Sequence, residues 1–250
     1  MFGKPSIVKN FVKKIFQRTI NKITNRKILD SPDNLIYIHI GKCGGASLWN
    51  AILKSNLIKT NFANIEKVHV KKPPIKKKSK YLIVIRNPIQ RAISAFNWRY
   101  KLVVEQNSQR NRFEGEWEVL TKYGTLNKLA ENLYENNQLN YETAANFRLI
   151  HHLKEDISFY LTDLLDSISR KQIFAIMSTE NLNSDIKKYL NVKTVDKIHE
   201  NSKLIKSDKK KLSVVAYNNL KKFLSKDYEC IEKILEMNNS KSSIKTELMN

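Results

Sequence analysis

The stretch LIYIHIGKCGGASLWNAIL, residues 35–53, decides how the rest of the chain is read. Leu35 to Ile40 is a run of β-formers that stops at Gly41. The pair Gly44-Gly45 follows, and a helical pattern begins at about Ser47. A strand that passes through glycines into a helix presents free main-chain N–H groups and the positive end of a helix dipole, and both suit an anion. Gly44 and Gly45 let the main chain approach that anion closely. Lys42 adds a mobile positive charge, and Ser47 supplies a hydroxyl near the helix start. The other reading of the same residues is a structural tight turn with a solvated lysine. The nucleotide-binding pattern Gly-x-x-x-x-Gly-Lys-Ser/Thr does not fit. Lys42 precedes the glycine pair, and Cys43 stands where a hydroxyl would hold Mg²⁺. A loop of this kind suits a phosphate donor that reacts without a metal.

A second turn gives an independent constraint. YLIVI (81–85) is an unbroken β-rich run of the sort buried in a parallel sheet. It leads into RNPIQRAISAFNWRY (86–100), with Asn87 as helix N-cap and Pro88 at the first helical position. Arg86 therefore stands at the C-terminal end of a strand, where ligands of open α/β sheets collect. Its planar fork can grip a second phosphate. Ile89, Ala92, Ile93 and Phe96 form the apolar stripe of the helix, which leaves Ser94 free to face a ligand. A helix-capping arginine and a solvated serine are the alternative.

Around these turns, IEKVHV (65–70) and IFAIM (173–177) read as further strands, the latter followed by a short helix. Residues 113–170 read as mostly helical with a break near Tyr123-Gly124, and one long helix is expected over about 208–236. Strands alternating with helices predict an α/β fold with a central parallel sheet and right-handed crossovers.

With 45 basic and 24 acidic residues in 250, the chain carries a formal charge of +21. Such a charge attracts polyanions: nucleic acid, an acidic membrane surface, anionic glycans or nucleotides. The abundance of Lys, Asn and Ile is also what an AT-rich genome produces. No RNA-recognition or zinc motif is present, which counts against a nucleic-acid-binding protein. The two cysteines, Cys43 and Cys230, offer no disulfide framework or zinc spacing, and point to a reducing compartment. Residues 1–30 contain eight Lys or Arg against a single acid, Asp30, with apolar residues from Ile7 to Ile23 at helical spacing. This is either a basic amphipathic helix that lies on an anionic membrane or one that docks on its own domain. Residues 31–237 form the expected catalytic body, and the polar residues 238–250 a disordered tail. KKPPIKKKSK (71–80) holds six lysines. They can line a groove for an acidic glycan or form a solvated loop.

IHIGKCGGASL together with YLIVIRNPIQRAISAF resembles the sulfotransferases that use 3′-phosphoadenosine 5′-phosphosulfate (PAPS), most closely the branch acting on heparan- and chondroitin-type chains. That family reads His-Ile-Pro-Lys-Thr-Gly-Gly-Thr-Ser in its 5′-phosphosulfate loop and Arg-x-Pro…Arg-x-x-Ser in its 3′-phosphate element. The resemblance implies a P-loop-like three-layer fold. It implies that Gly41, Lys42, Cys43, Gly44, Gly45, Ala46 and Ser47 surround the 5′-phosphosulfate, and that Arg86 and Ser94 hold the 3′-phosphate. It further implies metal-free, in-line transfer of a sulfuryl group to a carbohydrate hydroxyl, with PAP as product. Lys42 is then the stabiliser of the leaving oxygen and His69 the candidate general base, with Glu66 as fallback. Weaker likeness continues through STENL (178–182), HENSK (199–203) and the helix ending near residue 235. Gly41 replaces the usual proline, and Cys43 and Ala46 replace two threonines, so the loop lacks two hydroxyls. No membrane anchor is seen, which favours a cytoplasmic enzyme able to rest on the inner face of the membrane through residues 1–30. The remaining alternatives are a kinase-like phosphotransferase with a non-standard loop and a basic nucleic-acid-binding protein.

Overall fold

In a computed structural model, residues 30–193, 211–237 and 242–249 are described. The first strand, β1 (Asn34–Ile38), is buried along its whole length, as expected of a strand covered on both faces. The chain then makes the glycine turn and enters α1 (Gly45–Lys54). Where one helix is expected up to residue 57, the chain breaks at Ser55. Its hydroxyl donates to the Leu190 carbonyl (2.6 Å) and accepts from Ile58 N–H (3.2 Å), starting a separate helix, α2 (Asn56–Asn61). Strand β2 (Asn64–Val68) follows, and the lysine loop leads to β3 (Lys80–Ile85). Helix α3 (Pro88–Tyr100) begins as expected, with the Asn87 side chain accepting from Gln90 N–H at 2.9 Å. One π-helical turn, Lys101–Glu105, extends it.

A mostly helical segment comes next: α4 (Glu116–Tyr123), which stops at Gly124, and α5 (Leu126–Glu131). A two-residue hairpin, β4 (Tyr134–Glu135) and β5 (Gln138–Leu139), is followed by α6 (Tyr141–Leu149) and α7 (Ile157–Ser167). The fourth strand of the main sheet, β6 (Ile173–Ser178), leads into α8 (Leu182–Leu190). The expected long C-terminal helix is two, α9 (Val214–Phe223) and α10 (Ser225–Met237), separated at Leu224. The tail expected to be disordered contains α11 (Ser242–Met249). Leu248 of that helix is fully buried, and its carbonyl accepts from Asn87 Nδ2 at 3.2 Å. Glu247 also accepts from Asn181 Nδ2 at 2.7 Å, so a few contacts order a segment whose composition is polar. The basic segment 1–29 and the HENSK segment lie outside the described residues.

The main sheet is parallel throughout, in the order β2-β1-β3-β6, and is flanked by helices, as the alternating pattern predicts. Residues 81–85 of β3 are wholly inaccessible. One core joins the sheet to α1, α7, α8 and α10; a second is built from α3, α4, α5, α6 and α9. Because β1 and β3 are adjacent and parallel, their C-terminal ends bring the two turns, at residues 41–45 and at Arg86, side by side.

Candidate active site

The glycine turn is shaped by what lies against it. Lys42 (φ 70°) and Gly44 (φ 72°) both adopt left-handed backbone. Gly44 is the N-cap of α1 and offers no side chain to cap its first turn. A Cβ on Gly45 would sit 1.9 Å from the His39 ring, and one on Gly41 would sit 2.4 Å from His152 Nδ1. Gly41 is therefore explained by the imidazole packed on it. A proline there would meet the same ring.

Lys42 is half-buried, and its Nζ lies 4.9 Å from the Trp98 ring centroid. Burial, reinforced by Arg86, lowers its pKa to about 8. Its carbonyl accepts from Arg86 Nη1 at 3.2 Å, so the two expected anion-binding turns are joined by a hydrogen bond. Cys43 faces the other way. Its side chain is fully buried in the core, burial raises the thiol to about 12, and its N–H bonds the Ile40 carbonyl at 3.3 Å. The cysteine shapes the turn, and its thiol does not stand in for a loop hydroxyl. Ala46 and Ser47 occupy the first turn of α1 and are half-buried. Ser94 is also half-buried and lies one turn before Trp98 on α3. It shares the face of α3 that meets Lys42.

Arg91 is the residue that composition and spacing do not disclose. It is 2% exposed; its Nε donates to the Gly41 carbonyl (2.9 Å) and its Nη2 to the carbonyls of His152 (2.7 Å) and Glu155. One guanidinium thus ties the glycine turn to the loop after α6. The motif Arg-x-x-Ser holds this signal in its arginine. Glu180, in STENL, accepts from Asn87 N–H at 3.2 Å. Burial raises its pKa, against the pull of the Asn87 N–H and Arg86.

Four of the five histidines gather beside the turn. His39 stacks on His69 with ring centroids 4.2 Å apart, His69 is 5.9 Å from His152, and His152 is 4.0 Å from His151. Tyr37 and Trp49 continue the stack beyond His39, and Phe113 beyond His151. His69 Nδ1 lies 2.9 Å from the His39 carbonyl. A carbonyl only accepts, so Nδ1 carries the proton and Nε2 is left with its lone pair. Burial lowers the His69 pKa, opposed by that hydrogen bond. Lys67, on the same face of β2, lies over Trp49. Glu66 alternates with it and projects from the opposite face, where burial raises its pKa against the pull of Lys71. The structure brings His69 beside the glycine turn, stacked on His39, whose ring packs on Gly45. His199 lies outside the described residues. Among the described residues, no group of three or more His, Cys, Asp or Glu is placed to hold a metal ion.

The lysine loop is not a free basic strip. Asp30 accepts from the N–H groups of Lys77, Lys78 and Ser79, and Lys80 donates to the Lys171 carbonyl. Lys72 pairs with Asp163 at 2.5 Å beside a cleft of about 690 Å³, whose other charges include the pairs Arg148–Asp156 and Lys233–Asp166. None of the described helices is long and apolar enough to cross a membrane.

Two turns at the C-terminal ends of adjacent parallel strands, with histidines beside them, belong to an α/β fold of the P-loop-like class. The sulfotransferase family model matches residues 25–245, and the chain belongs to that family. No curated protein and no solved structure matches it.

Proposed function

We propose that this protein transfers the sulfuryl group of PAPS to a hydroxyl of a carbohydrate, a polysaccharide or the sugar of a glycolipid. The observation that carries the reading is the Arg86–Lys42 hydrogen bond. It unites two cation-bearing turns, one of them at an uncapped helix N-terminus, into a single site for a ligand with two separated anionic groups. The residues present fit such a donor. Lys42 is pushed toward losing its proton by burial and by Arg86, which is what a cationic site does before its anion arrives. Glu180, whose charge acts on Arg86, already accepts from the Asn87 main chain.

PAPS, when bound, supplies an activated sulfuryl group and a nucleotide leaving group. Lys42 then neutralises charge on the departing oxygen. Arg86 and Ser94 hold the 3′-phosphate. His69, its Nδ1–H fixed on the His39 carbonyl, offers Nε2 to the proton of the attacking hydroxyl. The backbone of the 41–47 turn contributes N–H groups in place of the two missing hydroxyls.

The test is transfer of ³⁵S from labelled PAPS to a panel of polysaccharides and glycolipids. Label on a carbohydrate, lost in Lys42→Ala, supports the reading. Transfer only to phenols or amines would refute the carbohydrate acceptor, and no turnover with any acceptor would refute the enzymatic reading.

A further inference from the structure

The Glu155 main chain helps to hold Arg91, and its carboxylate is placed unusually. The side chain is 13% exposed, and its Oε2 is buried without a hydrogen-bond partner. That oxygen lies 3.8 Å from His151 Nδ1, too long for a hydrogen bond but within ion-pair range. A buried carboxylate oxygen with no partner is costly, and it persists where the surrounding structure holds it in place. Here the holding groups are evident. Arg91 grips the Glu155 and His152 carbonyls. The His151 N–H donates to Glu116 Oε1 at 2.8 Å, and Glu116 is itself fixed by the buried Arg99 at 2.7 and 2.8 Å.

The chemical need is also evident. When His69 takes a proton it becomes an imidazolium among other imidazoles and cations. His39 and Lys67 face it from the sheet, and His152 faces it across 5.9 Å. His152 is in turn flanked by His151, Lys42 and Arg91. His151 is flanked by Glu155, Arg99, Glu116 and Arg112. Glu116 is committed to Arg99, which leaves Glu155 as the carboxylate without a cation of its own.

We propose that Glu155 is a positioning residue for the base: its carboxylate, held at the end of the histidine stack, supplies the negative charge that lets His69 accept a proton. This rests on the assignment of His69 as base. The charge balance is simple. The acceptor oxygen bonds the sulfur as the bond from sulfur to the bridging phosphate oxygen breaks and PAP leaves with that electron pair; the acceptor proton passes to His69 Nε2, and the resulting positive charge is offset by Glu155 until the proton passes to solvent.

The sign of the effect follows. A base works only while neutral, so the acid limb of the pH–rate profile marks the pKa of His69. Removing the Glu155 charge makes protonation of His69 harder. Glu155→Gln should therefore move the acid limb of kcat to lower pH and lower the plateau several-fold, with PAP affinity unchanged. Glu155→Asp should restore the wild-type limb in part. A lowered plateau with an unmoved acid limb would show a purely structural role and overturn the proposal, as would a Glu155→Gln profile identical to wild type. His69→Ala, measured in parallel, separates the two ideas. If His69→Ala retains activity, the base assignment fails. If it abolishes activity while Glu155→Gln leaves the limb in place, only the role of Glu155 fails.

Discussion

His152 Nδ1 lies 2.4 Å from the position a Cβ would take on Gly41, so the two residues are each other's steric condition. Arg91 clamps the main chain of both, which prevents either from simply moving aside. Gly41→Ala should therefore destabilise the protein by about 1–3 kcal/mol through overpacking. Gly41→Pro, which restores the residue usual in the family, should be no better tolerated. In Gly41→Ala/His152→Ala most of the penalty of the glycine change should disappear, a coupling that a double-mutant cycle in urea would measure. Additive losses would contradict the contact.

Lys42 has a pKa of about 8 in the free protein, lowered by burial and by Arg86. A bound polyanion favours the charged form and raises that pKa toward the ordinary lysine range. Between about pH 8 and the raised value, binding of PAP must then take up a proton. Calorimetry at pH 8.5 in buffers of differing ionisation enthalpy should show this uptake. At pH 6.5 it should vanish from Lys42, and in Lys42→Met it should be absent at both pH values.

The buried histidines make the fold sensitive to acid. His39 is held neutral down to about pH 3, mainly by burial, and His152 is lowered still further by burial and its cationic neighbours. In the unfolded chain both bind protons near pH 6.5. The unfolded state therefore carries more protons below that pH, and stability falls as pH drops from about 6.5. Thermal melts from pH 7.5 to 4.5 should show a falling midpoint, with a shallower fall in His152→Asn.

Arg99 and Glu116 form a bidentate pair, with side chains 2% and 0% exposed, that also anchors the His151 main chain. Removing one partner leaves the other charge buried and alone. Glu116→Ala should cost about 3–5 kcal/mol, readable by denaturant unfolding. It should also loosen the histidine stack.

The strand-turn-helix units at residues 35–53 and 81–100 are legible in the sequence because local signals agree there. β-rich runs end at glycine or at an N-cap with proline, and the apolar stripe of α3 is clean. Ser55 hides the break after α1, because its partner Leu190 is far along the chain. The C-terminal helix is hidden by its polar composition, since it is ordered by a few contacts such as that of Leu248 with Asn87. In the site, the glycine turn, Arg86 and His69 carry recognisable chemistry at strand ends. Arg91, His152 and Glu155 do not. They act through main-chain carbonyls and ring contacts made by a loop with no periodicity, and only the folded chain brings them together.

The central claim is that the joined turns at Lys42 and Arg86 form one site for an adenosine bisphosphate. Thermal unfolding with PAP, with ATP plus Mg²⁺ and with single-stranded DNA measures it most directly, because a ligand of the native state must raise the midpoint. PAP should give a concentration-dependent rise, the largest of the three, that is lost in Arg86→Ala. No rise with PAP, or a rise that Arg86→Ala leaves untouched, would contradict that claim.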